Sequence, residues 1–383
     1  MKLLIINHSC VTPINQQFYA ELEQQTGWDL TIVTPANWKT KYGNVLSPEL
    51  WSDYQGQLIG VPVWLSGNIP LHIYRTTFIR LLKEIEPDFI YVHQEPYGIQ
   101  TGQVYLANSL SINKPIAFFT WQNIVKRYPF GFRQIERLVY KKSNIAFTGS
   151  SSAADVLREK GYPGKCAMLP PGIDPDIYTY YERAEELKSS LRKAEHEIII
   201  GYLGRIVAQK GFKTLLQALH QIKELPWRLV LVGTGEYETE LKQIAGELQL
   251  TDRISYLGYV PHAEAPRYLS AFDLLVLPSE TQSNWKEQFG RVIIESMACN
   301  TPVIGSSSGE IPRIIKLTRG GLTFIEGQPE ALAEQLSKLI ANPDLRSDLG
   351  KQGRQGVLQN YTNSSLASGF ANTIEIVVEE LNS

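Results

Sequence analysis

The sequence predicts an α/β fold built from two doubly wound, Rossmann-like domains, and three observations carry that prediction. Short apolar runs alternate with amphipathic stretches, the mark of a parallel sheet with helices on both faces. The alternation occurs twice, and the charged stretch LPPGIDPDIYTYYERAEELKSSLRKAEHE (169–197) separates the two series. The chain has 383 residues, more than one hydrophobic core usually organises.

In the first series, LLIIN (3–7), DLTIVTP (29–35), FIYVH (89–93), PIAFFTW (115–121) and NIAFTGS (144–150) read as buried strands. GIQTGQVYLANSL and SSAADVLREKG read as helices between them, while 50–75 has no clear period. The second series runs EIIIGYLG, GFKTLLQALHQI, WRLVLVGTG, EYETELKQIAGEL, RISYLGYV, LLVLPS, TPVIGSS. After 328 the tail reads as helical, with Pro343 between two helices and a last helix near 365–380. The expected division is a first domain over 1–170, a linker over 171–196, a second domain over 197–360, and a terminal helix over 361–383 placed to return to the first domain. Two such domains facing each other across a cleft would bind ligands beyond the carboxyl ends of their strands.

Composition excludes several classes. At 43% hydrophobic and 20% charged the chain is globular rather than disordered. A net charge of -2 gives no global pull toward nucleic acid. Cys10, Cys166 and Cys299 are too scattered for a metal site or a disulfide framework, which fits a reducing cytosol. The opening MKLLIINHS is too short for a signal-peptide core, and no apolar run nears the ~20 residues of a membrane helix. The expected location is cytoplasmic, with peripheral contact at the inner face of the membrane left open.

The loops after the strands hold the chemistry. In GYLGRIVAQKGF a strand ends at Gly204, and Arg205 and Lys210 follow in a glycine-punctuated turn that suits a diphosphate. LVGTGEYE has Gly233 and Gly235 after a strand, but Glu238 stands where a dinucleotide fingerprint needs Gly or Ala. That disfavours an NAD-dependent dehydrogenase. In KEQFGRVIIE the helix is expected to begin near Phe289 or Gly290, and its free N–H groups form an anion site. Glu287 precedes that site and Glu295 lies roughly 12 Å further on, at ~1.5 Å per residue. A nucleotide sugar has that length, so one carboxylate per sugar ring, with the diphosphate between, accounts for the spacing. The bland alternatives are a helix-dipole partner for Glu287 and a structural hydrogen bond for Glu295. In YVHQEPYG, His93 and Glu95 end a strand. They read either as groups recognising an acceptor hydroxyl or as a Pro96-stabilised turn with His93 in the core.

GRIVAQKGF, LVGTGE, ISYLGYV, and above all EQFGRVIIE followed by MACNTPVIGSSSGEIPRII resemble family 4 of the retaining glycosyltransferases, which have the GT-B fold. HQEPYGIQ, TWQNIVKRYPFGF and SSSAADVLREKGY resemble its bacterial branch for cell-surface polysaccharides, including the cyanobacterial exopolysaccharide and heterocyst-envelope enzymes. The resemblance implies a UDP-sugar donor, with glucose expected, and a polysaccharide or lipid-linked glycan acceptor. It implies no metal, no cofactor and no nucleic-acid partner. Gly204, Arg205, Lys210 and Gly233 would line the diphosphate, with Arg205 and Lys210 carrying its charge. Tyr259 and Val260 would border the base. Lys286, Glu287, Gln288, Phe289 and Gly290 would hold the transferred sugar, Arg291 and Val292 the phosphates, and Glu295 the ribose. On the acceptor side His93, Glu95, Tyr97, Gln122 and Asn123 are expected, with Arg205, Lys210, Glu287 and Glu95 as the expected catalytic set.

The chain departs from the family pattern twice. The loop NHSCVTPINQQ lacks the frequent double glycine, and the position of a frequent histidine after FFTW is held by Gln122 or Asn123, neither of which takes a proton as imidazole does. Asp174-Pro175-Asp176 spells a metal motif of a different glycosyltransferase fold and reads as a decoy. KRYPFGFRQIERLVYKK (126–142) reads either as a helix burying an apolar stripe or as a basic face for anionic lipid. A sugar-nucleotide 2-epimerase and a catalytically silent nucleotide-sugar-binding scaffold subunit are the alternative functions.

Overall fold

A computed structural model describes residues 1–40 and 43–383, apart from the side chain of Asn382. The chain folds as two compact units, Met1–Gly172 with Asn363–Ser383, and Ile173–Thr362. Much of the stretch 171–196, read as a linker, is packed into the second unit: Ile173, Tyr178 and Ala184 are buried, and a helix spans Ala184–Leu191.

The first unit is organised by a seven-stranded sheet. Its strands in chain order are β1 (Lys2–Ile6), β2 (Asp29–Pro35), β3 (Gln57–Val61), β4 (Phe89–Val92), β5 (Ile116–Thr120), β6 (Ile145–Thr148) and β7 (Lys165–Met168). They lie in the order β7-β6-β5-β4-β1-β2-β3 with every pairing parallel. Both faces are covered, which is why the strands read as unbroken apolar runs. Leu3, Ile5, Phe89, Tyr91 and Phe147 face one core, and Leu4, Ile6, Ile90, Val92 and Ala146 the other. The terminal helix Asn363–Asn382 belongs to the first core, through Phe370, Ile374 and Val377.

The second unit carries a six-stranded parallel sheet of β8 (Ile198–Leu203), β9 (Trp227–Val232), β10 (Ile254–Gly258), β11 (Leu274–Leu277), β12 (Val303–Ser306) and β13 (Gly321–Phe324). The order is β10-β9-β8-β11-β12-β13, so the winding reverses between β8 and β11. In the first unit the reversal falls between β1 and β4. Two strands that diverge at such a reversal leave a crevice beyond their carboxyl ends, the usual ligand position in open α/β sheets.

The segment 126–142 forms a helix over Phe130–Lys142 that buries Glu136, Val139 and Tyr140. Gly102 of the helix Ile99–Leu110 leaves room for Ile135, whose Cγ2 would stand 3.1 Å from an added Cβ. The buried stripe is therefore real, and Arg133, Arg137, Lys141 and Lys142 point outward. Among the described residues no helix is long and apolar enough to cross a membrane.

Candidate functional site

The crevice of the second unit is flanked by the loops after β8 and β11, and these loops hold the residues singled out in the sequence. Glu280 N–H donates to the Gln209 carbonyl at 2.9 Å, and Thr214 Oγ1 donates to Glu280 Oε1 at 2.5 Å, so the two loops are joined. Lys210 Nζ meets Glu287 Oε2 at 2.5 Å and lies 5.3 Å from the centre of the Trp285 ring. Ser279 Oγ donates to the same carboxylate oxygen at 2.7 Å. Glu287 is buried, and Lys210 and Ser279 are among the groups that match its charge locally. Arg205 is exposed, and among the described residues no salt bridge holds its guanidinium.

The helix that follows spans Arg291–Ala298 with Gly290 as its N-cap, next to the start expected near Phe289 or Gly290. Gly290 takes φ 81°, a left-handed conformation that no residue within a right-handed helix adopts, and having no side chain it offers no cap. The Ile293 N–H donates to the Gly290 carbonyl at 2.8 Å, which leaves the Arg291 and Val292 N–H groups to face out of the helix start with no N-cap side chain on them. Gly309 fixes the approach from the other side. At φ +57° an added Cβ would fall 1.8 Å from the Glu287 carbonyl oxygen. Gly309→Ala is expected to push Glu287 aside and weaken nucleotide binding by roughly tenfold, about 1.4 kcal/mol, as isothermal titration would read.

Glu295, one face further along, is buried and holds its own partners. Its Oε1 receives Arg291 Nε at 2.9 Å and stands 3.5 Å from His262 Nε2. Tyr178 hydroxyl lies 2.8 Å from the same imidazole nitrogen. The Arg291 guanidinium thus turns back to Glu295, leaving its backbone N–H for an anion. Tyr259, expected to border the base through its backbone, lies in the loop after β10 and is 76% exposed. Gly233 N–H donates to the Gly258 carbonyl at 2.7 Å, which ties the loop after β9 to the end of β10. Ser279, Trp285, Tyr178 and His262 went unread in the sequence. Only the Pro-Ser that ends LLVLPS offered a signal, because a hydroxyl closing a buried strand at a crevice is placed to hold a side chain there.

The residues expected on the acceptor side lie in the first unit, and the structure gives most of them structural duties. Glu95 accepts from Thr120 Oγ1 at 2.6 Å and from the Trp121 N–H at 2.8 Å, so each carboxylate oxygen fastens the loop after β5. Burial pushes its pKa up, opposed by those two hydrogen bonds. His93 stacks on Phe119 at 4.1 Å and has Nδ1 2.9 Å from the Tyr91 hydroxyl, which is the core reading of that residue. Tyr97 stacks on Tyr128 at 4.0 Å, Gln122 Nε2 donates to the Ile124 carbonyl at 3.2 Å, and Asn123 is buried. Asp176 N–H donates to Asp174 Oδ1 at 2.9 Å, an Asx turn. Among the described residues no three His, Cys, Asp or Glu side chains gather as a metal site.

Burial lowers His93 to about 3, and burial together with the neighbouring His72 lowers His8 to about 4, from an ordinary 6.5. Below pH 6.5 the unfolded chain takes up protons on these rings that the folded chain refuses. Stability is therefore full above about pH 6.5 and is lost as the pH falls toward those values. Calorimetry is expected to show a loss on the order of 4 kcal/mol between pH 7.5 and 5 from this source, roughly 2 kcal/mol per ring and so about halved in His93→Phe.

Two family models cover most of the chain. Residues 16–177 match the model described as Glycosyltransferase Family 4, and 183–356 match that for Glycosyl transferases group 1. The chain belongs to glycosyltransferase family 4. A GDP-mannose-dependent alpha-(1-6)-phosphatidylinositol monomannoside mannosyltransferase of Mycobacterium tuberculosis is 27% identical over 232 residues, 59% of this chain and 60% of that protein. An N-acetyl-alpha-D-glucosaminyl L-malate synthase of Bacillus anthracis is 28% identical over 197 residues, 51% of this chain and 50% of that protein. The chain thus spans about half the length of the curated relatives it matches. Among solved structures, sucrose-phosphate synthase from Thermosynechococcus elongatus superposes with a TM-score of 0.72 at 20% identity, covering 99% of this chain and 100% of that one. Anabaena HepE in complex with UDP gives 0.73 at 17%, covering 98% and 100%. These likenesses establish the GT-B fold for the chain, with two parallel-sheet Rossmann-like domains.

Proposed function

We propose that this family 4 glycosyltransferase moves a hexose, glucose from UDP-glucose, onto a hydroxyl of a polysaccharide or lipid-linked glycan, with retention and without a metal. The observation that carries the reading is the Lys210–Glu287 pair at the winding reversal of the second unit, beside an uncapped helix start. A diphosphate at that helix start would draw Lys210 to its own charge and release the Glu287 carboxylate to sugar hydroxyls. Arg205 would supply the second cation. Glu295, held by Arg291, would accept from the ribose hydroxyls. UDP-glucose is chosen as donor because HepE, which shares the fold, has been solved with it.

In the reaction the bond from the anomeric carbon to the β-phosphate oxygen breaks and the acceptor oxygen bonds to that carbon on the same face. The acceptor proton passes to the departing phosphate oxygen, giving glycoside and UDP. The dominant barrier is the charge gathering on UDP, and preorganised cations and backbone N–H groups act on it directly.

Release of UDP, measured with and without a glycan acceptor, tests the reading against its alternatives. Acceptor-dependent release that falls sharply in Glu287→Gln is the expected result. UDP released with formation of a 2-epimer would identify an epimerase, and nucleotide binding without release would identify a scaffold. A thermal-shift panel of nucleotide sugars checks the donor, since the tightest ligand raises the apparent stability most. Peripheral contact with anionic membrane is part of the proposal, through the outward basic residues of Phe130–Lys142 and the exposed Phe130 at its start. Sedimentation with phosphatidylglycerol vesicles should fall when Arg133, Arg137, Lys141 and Lys142 are neutralised; unchanged sedimentation would remove that part.

A further inference from the structure

Three side chains from separate segments of the second unit converge on the Glu295 carboxylate. Arg291 comes from the same helix, His262 from the loop after β10, and Tyr178 from the stretch by which the chain enters the unit. Arg291 Nε stands 2.9 Å from Oε1 and His262 Nε2 3.5 Å from that same oxygen, while the Tyr178 hydroxyl is 2.8 Å from Nε2. Burial first and the Glu295 charge second push the Tyr178 hydroxyl above the ordinary phenol range, so beside the carboxylate it stays a donor.

The three are unequal as supports. The Arg291 side chain is 47% exposed, and a solvated i,i+4 ion pair holds its partner weakly because water and salt screen it. Tyr178 is buried, its N–H donates to the Asp174 carbonyl at 2.9 Å, and its ring meets the His262 ring edge-on at 5.7 Å. A packed phenol keeps one direction, where a long guanidinium arm in water samples many. The charges also choose the imidazole tautomer. A bare lone pair on Nε2 would face Oε1 and be repelled, whereas a proton there is attracted to the carboxylate. With the proton on Nε2 the imidazole donates to the Tyr178 oxygen, which leaves the phenol O–H to turn toward Glu295. The Arg291 and His262 contacts both fall on Oε1, so Oε2 takes its direction from them.

We propose that Tyr178 and His262 are positioning residues that fix the Glu295 carboxylate and thereby set how strictly the protein selects a ribose over a deoxyribose. The inference rests on the donor reading above, in which Glu295 accepts from the ribose hydroxyls. A carboxylate held in one orientation meets those hydroxyls at no further ordering cost and is left unpaired when one is missing; a loose carboxylate turns to water and discriminates less.

Isothermal titration of the full chain with UDP, 2′-deoxy-UDP and 3′-deoxy-UDP tests the proposal. The native chain is expected to bind UDP at least about tenfold more tightly than one of the deoxy forms, as a hydrogen bond to a charged group allows. Tyr178→Phe keeps the ring and removes the O–H, and His262→Leu removes the imidazole. Each should cut that ratio to about threefold or less, by weakening UDP and leaving the deoxy nucleotide nearly unchanged. His262→Gln, which retains an N–H donor, should keep most of it. The His262 side chain is 63% exposed, so its variants carry the test even where Tyr178→Phe folds poorly. An equal loss for all three nucleotides, or a ratio unchanged in either folded variant, would overturn the inference. Glu295→Gln separates the two levels. A ratio lost there but kept in the Tyr178 and His262 variants removes the positioning role alone. A native ratio near one, a ratio kept in Glu295→Gln, or no binding of UDP removes the donor reading and the inference with it.

Discussion

Lys210→Ala is expected to slow glycosyl transfer from a confirmed donor by about a hundredfold, roughly 3 kcal/mol of barrier. Two effects converge on that side chain and need separating. The ammonium would stabilise the charge on departing UDP, and in the free protein it neutralises Glu287 at 2.5 Å. Removing it takes the cation from a buried carboxylate that Ser279 Oγ also holds at 2.7 Å, which destabilises the fold as well. The double variant Lys210→Met, Glu287→Gln removes both charges together, so its melting temperature should return toward that of the native chain while turnover stays low. Turnover that recovers along with stability would assign Lys210 to the fold alone. Unchanged turnover in Lys210→Ala would remove it from the reaction.

Phe370→Ala is expected to cost about 3–5 kcal/mol of unfolding free energy in urea titrations. Phe370 is buried, and its ring meets Phe147 at 4.7 Å, Tyr91 at 5.0 Å and Phe18 at 5.6 Å. Truncation leaves a ring-sized cavity on one face of the seven-stranded sheet, between the terminal helix and strands β4 and β6. Nucleotide binding should survive below the unfolding transition, since every residue proposed for the donor lies in the second unit. A loss under about 1 kcal/mol would mean that the helix is not seated there.

Much of the molecule is legible in the sequence. The strands showed as unbroken apolar runs because helices cover both faces of each sheet, and DLTIVTP (29–35) coincides with β2. Lys210, Glu287 and Glu295 were read as one donor set from loop position and spacing, and the structure brings Lys210 and Glu287 into contact. Glu95 shows where that reasoning stops. A carboxylate at the end of a strand looks the same in sequence whether it faces a ligand or fastens a loop, and the hydrogen bonds it accepts here from Thr120 and Trp121 come from 25 and 26 positions away.

Local sequence determined what each segment becomes, since periodicity, turn residues and caps act over a few neighbours. The order of the strands was decided only in three dimensions, because it depends on which apolar faces meet across long chain separations. That order sets Lys210 beside Glu287, 77 positions on, and His8 beside Gln94. It also sets the terminal helix against the first sheet: a helical apolar stripe states that a partner is needed, and packing alone selects which sheet supplies it.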